Sequence, residues 1–212
     1  MQTGERKRRI PAAARRELIV EAALAEFAER GYEAASLGRI AAAAGISRTV
    51  LYDHFPSKHA LFASLLRSQH GDLVEYMRVQ IVSDAPLRER LRATCDAFFR
   101  FAEERPMAWR LLFPSHPPVD PAAVGEYRRS RSESNRLLAQ AWAPDALRTG
   151  VDPRSGAGRA IFAMHMEALH GAARWWHTHP EVSRQELVTA AMAVLWTGMG
   201  AVDRGEPWVS AG

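Results

Sequence analysis

The side chains best placed to do chemistry in this sequence are polar, closely spaced and set on one short stretch. Arg48, Thr49, Tyr52, Asp53 and His54 fall on one side of a helical pattern whose other side, Val50, Leu51 and Phe55, is apolar. A guanidinium such as that of Arg48 can donate two parallel hydrogen bonds to O6 and N7 of guanine, or hold a phosphate. Thr49 can touch a thymine methyl or bond a base edge. Ser36, at the start of the preceding helical pattern, could hold a phosphate with its hydroxyl and the free N–H groups beside it. The chemistry this set suggests is contact with duplex DNA.

Catalysis has no comparable set. The chain has no G-x-S-x-G elbow, P-loop, H-E-x-x-H helix or dinucleotide fingerprint. Its acidic pairs lie at no spacing that favours catalysis over a solvated face, so no catalytic residue is expected. His165, His170, His177 and His179 invite a metal reading. However, His165 and His170 are five apart and poorly aligned on a helix, and only Glu167 could join them. Surface or core histidines are expected there, with no metal and no cofactor. Cys95 is the only cysteine, which excludes an internal disulfide and a Cys-based zinc site.

The elements that must carry the polar set are helices. Ile40, Ala41 and Ala44 share one face of a pattern that Gly45 should stop, because glycine takes a left-handed conformation without steric cost. Ser47 is a natural N-cap for the next helix. Two short helices meeting at a glycine make a helix-turn-helix, whose second helix enters the major groove. Upstream, Arg15 to Arg30 forms a helix with Ile19, Ala22, Ala23, Leu24 and Phe27 as its apolar face, ended by Gly31, and Ser36 should cap the next one. Pro56-Ser57 opens a long fourth helix running toward Ile81. A fifth carries Phe98, Phe99 and Phe101, and a short segment spans Met107 to Phe113. Another helix runs to about Trp142, residues Pro144 to Gly158 form a loop, and two final helices follow. Ser183 with Glu186 forms a capping box. No strand-like alternation of useful length occurs.

The run Ser36, Ile40-Ala41, Ala44-Gly45-Ile46-Ser47, Leu51-Tyr52, His54-Phe55, Lys58 and Leu61 resembles the DNA-binding segment of TetR-family (tetracycline-repressor-like) transcriptional regulators. Thr49 stands where a small residue is common in that family, and His59 where an acid is common. The resemblance implies an all-α protein of about nine helices. Residues 1–56 would form a helix-turn-helix domain with a basic arm (Arg6, Lys7, Arg8, Arg9), and residues 57–212 a helical effector-binding and dimerisation domain. It implies DNA contact through Ser36, Ser47, Arg48, Thr49, Tyr52, His54 and Lys58, with Tyr52, His54 and Lys58 at phosphate-contacting positions. It also implies a cavity for a small hydrophobic effector, for which Phe98, Phe101, Met107, Trp109, Phe113, Tyr127, Phe162, His165, Met166 and Trp175 are the candidates. Singly, such residues are ordinary core; as a group they mark a candidate cavity. The last two helices would pair with a second copy, through small residues such as Ala168, Gly171, Ala190 and Gly198.

Composition agrees with this class. The 212 residues carry a net charge of +4 and a pI of about 9.7, compatible with a nucleic-acid partner. The most apolar stretch, Leu187 to Val202, falls short of the ~20 residues a membrane span needs. No apolar signal core follows the basic start. A cytoplasmic protein is expected: a dimeric, ligand-responsive regulator, in the first instance a repressor on a palindromic operator. The rivals are a sequence-tolerant architectural DNA binder and a DNA-modifying enzyme.

Overall fold

Ile19, Ala23 and Phe27 recur every fourth residue and are fully buried, which fixes the inner face of the first helix, α1 (Ala12–Ala34). The structure, a computed structural model, describes residues 11–197. The basic arm, Gly198 and the end of the apolar stretch toward Val202 lie outside the described residues. Gly31, with φ 71° and ψ 175°, breaks α1 into a long piece and a final turn. A backbone of that kind is open to glycine and little else.

Next come α2 (Leu37–Ala43) and α3 (Arg48–His54). The turn between them is a Schellman motif. Gly45, at φ 65°, donates to Ala42 O (3.1 Å), and Ile46 donates to Ala41 O (3.0 Å), satisfying the last carbonyls of α2. Ser47 Oγ then accepts from Val50 N (3.3 Å) and caps α3. Leu51 and Phe55 point inward with Ile40 and Ala41, so α2 and α3 close with α1 over one core.

The long helix α4 (Lys58–Ile81), capped by Ser57, belongs to both ends of the molecule. Its first turns pack Phe62 against Phe27 and Tyr32, with ring centroids 5.1 and 4.8 Å apart. Its later turns lie between α5 (Leu87–Glu104) and α7 (Pro121–Arg148). The short α6 (Pro106–Leu112) packs on α1. Then α8 (Gly156–Trp176) and α9 (Arg184–Thr197) complete the bundle. The expected Ser183–Glu186 capping box is formed: Glu186 accepts from Ser183 N (2.9 Å), and Ser183 Oγ accepts from Glu186 N (3.3 Å).

The described residues make nine helices and no strand. None of these helices is long and apolar enough to cross a membrane. The loop expected after Trp142 begins later than its composition suggests. The loop placed at Pro144 to Gly158 is helical to Arg148, with Pro144 inside α7. Proline at 144 forfeits one backbone bond, yet the helix continues because Asp145, just after it, is buried against Arg90. The actual stop is Gly150 (φ 79°), where Val151 donates to Ala146 O (2.9 Å) in a second Schellman turn.

Candidate DNA-reading surface and ligand cavity

With Leu51 and Phe55 inward, helical geometry leaves Arg48, Thr49, Tyr52 and Asp53 on the solvent side of α3, and Tyr52 is 51% exposed. An aromatic side chain that far out of the core has no packing reason to be there. His54 is half-buried at the end of the same helix. Arg48 reaches back over α2 and rests against Gly38.

Two of the seven expected contact residues also have partners within the fold. The Ser36 hydroxyl makes no capping bond; instead the Ser36 N–H donates to Glu26 Oε1 (2.9 Å), which also accepts from Arg39 (2.8 Å). The Glu26 carboxylate has taken the place of the cap. Burial pushes its pKa up, but the bonds from Arg39 and Ser36, with the charges of Arg39 and Arg30, leave it below the ordinary value. Lys58 is tethered to the protein: Nζ donates to Glu33 O (2.9 Å) and sits 4.7 Å from the centre of the Tyr32 ring. The Glu33 side chain in turn accepts from Val119 N (2.7 Å) and Asp120 N (3.1 Å) at the start of α7. Those bonds hold the Glu33 carboxyl below its usual range. The last turn of α1 thus joins the first turns of α4 and α7.

A cavity of about 370 Å³ lies among α4, α5, α7, α8 and α9. Met77, Leu87, Leu91, Cys95, Leu138, Trp142, Ile161 and Leu195 give it an apolar wall. Arg159 and Arg136, the latter paired with Glu133, line it as well and are exposed, so guanidinium groups stand at its mouth. Its polar wall includes Asn135 and Asp145, the latter in a buried bidentate pair with Arg90. Burial pushes the Cys95 thiol up to about 12, which keeps it protonated and unreactive.

Of the ten effector candidates, Phe162, His165 and Met166 line this cavity. Phe98, Trp109 and Phe113 do not. They form an aromatic core with centroids 4.4 to 5.5 Å apart. Phe101 packs edge-on against Tyr76 (5.3 Å). Met107 is half-buried on α6, and the Tyr127 hydroxyl donates to Leu112 O, away from the cavity. Trp175 is 47% exposed and stacked on His179 at 4.0 Å. Aromatic rings gain by pairing with one another, so they fill space rather than line it. The wall is mainly aliphatic, with Trp142 and Phe162 the aromatic members, and its residues on α5 and α9 carry no individual mark in the sequence.

His70 is buried, with Nδ1 3.0 Å from Leu66 O and 2.8 Å from Ser130 Oγ. His170 is buried 3.7 Å from Glu167. Burial lowers both imidazoles to about 4. Among the described residues, no three of His, Cys, Asp and Glu converge on a point where an ion could sit.

This geometry has close counterparts. Residues 19–65 match the sequence profile of the bacterial regulatory proteins, tetR family. The chain is 30% identical over 202 residues to the HTH-type transcriptional activator FasR of Mycolicibacterium smegmatis, covering 93% of this chain and 88% of that protein. It belongs to the tetR family. The protein is therefore a ligand-responsive, DNA-binding transcriptional regulator, not an enzyme. A second relative is the HTH-type transcriptional regulator RutR of Escherichia coli, 28% identical over 186 residues, 80% of this chain and 84% of RutR. The fold is also that of the transcriptional regulator FadR from Bacillus subtilis in complex with stearoyl-CoA, with a TM-score of 0.70 at 18% identity, covering 88% of this chain and 97% of FadR.

Proposed function

We propose that the protein binds a palindromic operator as a homodimer, reading bases through Arg48 and Thr49 and phosphates through Ser36, Ser47, Tyr52, His54 and Lys58. The observation that carries this reading is the exposed polar face of α3 above a buried Leu51 and Phe55. The reading divides the chain at residues 1–56, the DNA-binding part, and 57–212, which holds the effector and the partner copy. The partner surface is α8 with α9, where Met164 and Val194 stand 63% and 68% exposed beside Ala168 and Ala190. Two-fold symmetry would set the recognition helices about 34 Å apart, one turn of DNA.

The effector is an amphiphile with a long apolar chain and an anionic head. The aliphatic wall fits the chain, and Arg136 and Arg159 at the mouth fit the head. The stearoyl-CoA held by the Bacillus subtilis protein is of this class. Binding lowers operator affinity, which makes the protein a repressor located in the cytoplasm with its operator. FasR carries the name of an activator, so the sign of regulation is itself part of the test.

Selection of bound duplexes from a random pool should return a palindrome. Addition of stearoyl-CoA, but not of free coenzyme A, should then release the duplex. In vitro transcription across the recovered site should rise on release. Failure to enrich any sequence refutes the DNA reading. Enrichment without release refutes the effector, and a fall in transcription on release makes the protein an activator.

A further inference from the structure

We propose that Gly38, on α2, positions the guanidinium of Arg48 and thereby takes part in choosing the DNA sequence. This rests on the reading that α3 faces the bases. A Cβ built on Gly38 would lie 2.3 Å from one terminal nitrogen of Arg48, and 3.0 Å from Cζ and from Nε. One edge of the Arg48 head thus occupies the place a side chain at 38 would take. Among the described residues no carboxylate pairs with Arg48, so this resting place is its contact with the fold.

Glycine is otherwise out of place at 38. The residue lies within α2, and its φ is not in the left-handed region, so the backbone does not call for it. In a helix glycine is less stable than alanine. The position carries that cost, and what it supplies is room. Without a side chain at 38 the Arg48 head folds back across α2. With one, the head is pushed out along α3. Arg48 is exposed and flexible at that end, so the move costs the fold little. It matters to recognition, because a bidentate fork must be held within about 0.5 Å and 10–20° to serve one base pair. Gly38 touches no base; it acts through Arg48 as a positioning residue.

The test uses the full chain and four proteins: wild type, Gly38→Ala, Arg48→Ala and the double variant. Dissociation constants are measured at fixed salt on the duplex selected by the wild type and on its single-base variants. Melting is followed in parallel. Gly38→Ala should weaken preference at the same base pair as Arg48→Ala, roughly 5- to 150-fold, the worth of one bidentate contact. In the double variant, Gly38→Ala should add nothing to Arg48→Ala. Its melting midpoint should equal or exceed that of the wild type, so lost stability cannot explain lost preference.

The proposal is overturned if Gly38→Ala leaves preference unchanged, or if its effect persists without Arg48. It also falls if Arg48→Ala leaves preference unchanged, while a wild type that still selects a palindrome keeps the DNA reading intact. A wild type that selects nothing removes both.

Discussion

Replacing Asp145 by alanine should destabilise the fold by about 3–5 kcal/mol, the cost of stripping a buried ion pair of one partner. Asp145 and Arg90 retain only 8% and 9% of their side-chain exposure. The guanidinium spends Nη1 on Asp145 Oδ2 (3.1 Å) and Ile81 O (2.6 Å), and Nη2 on Asp145 Oδ1, while its Nε has no acceptor. Without Asp145, a buried cation keeps one carbonyl and the face of Trp142 at 5.7 Å. For a chain of this size, about 2–4 °C is lost per kcal/mol, so the midpoint should fall by about 6–20 °C. Urea titration followed by circular dichroism, at one protein concentration, measures the change directly. Removing both charges with Arg90→Leu and Asp145→Leu should cost much less than the sum of the single changes, since no unpaired buried charge is left; Arg148, the other partner of Asp145, is exposed. A loss below about 1 kcal/mol for Asp145→Ala would show that water reaches the guanidinium and that the pair is not a buried one. The same variant should bind stearoyl-CoA more weakly, because Asp145 forms part of the cavity wall.

Glu33→Ala removes both acceptor bonds from the start of α7. Amide exchange at Val119 to Ala123 should quicken while the global midpoint barely moves; unchanged local exchange would mean that Asp120, which caps α7 through Ala123 N (2.9 Å), suffices alone. Stability should also fall in mild acid. His70 and His170 sit at about 4 in the fold against 6.5 when free, so between those pH values the unfolded chain binds protons that the fold refuses. Their contribution is complete above about pH 6.5 and is lost as pH falls toward 4. In the His70→Gln, His170→Gln double variant the urea midpoint should vary less over that window, and an unaltered slope would place the acid sensitivity elsewhere.

What the sequence disclosed depended on how far apart the deciding residues were. The α2 turn was legible because Gly45 and Ser47 are its own residues, and the chemistry of each is local. The cap expected at Ser36 was replaced by Glu26, ten positions upstream, whose approach no local rule anticipates. Pro144 signalled a break, but Arg90, on another helix, holds the next residue in place and Gly150 stops the helix instead. The cavity was the least legible feature. Phe98, Trp109 and Phe113 were conspicuous, and their size is why they fill the core. A cavity is where facing helices fail to meet, and residues such as Leu91 and Leu195 border it without differing in type from ordinary core leucines.

The distances now bear on how a ligand could be felt at the DNA. Met77 lines the cavity and Lys58 opens the same helix, nineteen positions earlier. At 1.5 Å per residue they are about 28 Å apart along α4, so a tilt of about 5° pivoting near Met77 would move Lys58 by about 2.5 Å. A hydrogen bond does not survive a displacement of that size. The bond from Lys58 to the Glu33 carbonyl must therefore break unless the last turn of α1, which holds α7 through the Glu33 side chain, travels along. Because Gly31 separates that turn from the rest of α1, it can follow without dragging the whole helix. A ligand needs only to prefer one of the two arrangements for operator affinity to change, and the operator must then disfavour that ligand by the same factor. Measuring stearoyl-CoA affinity with and without saturating operator checks this: equal affinities would leave α4 with no coupling to transmit.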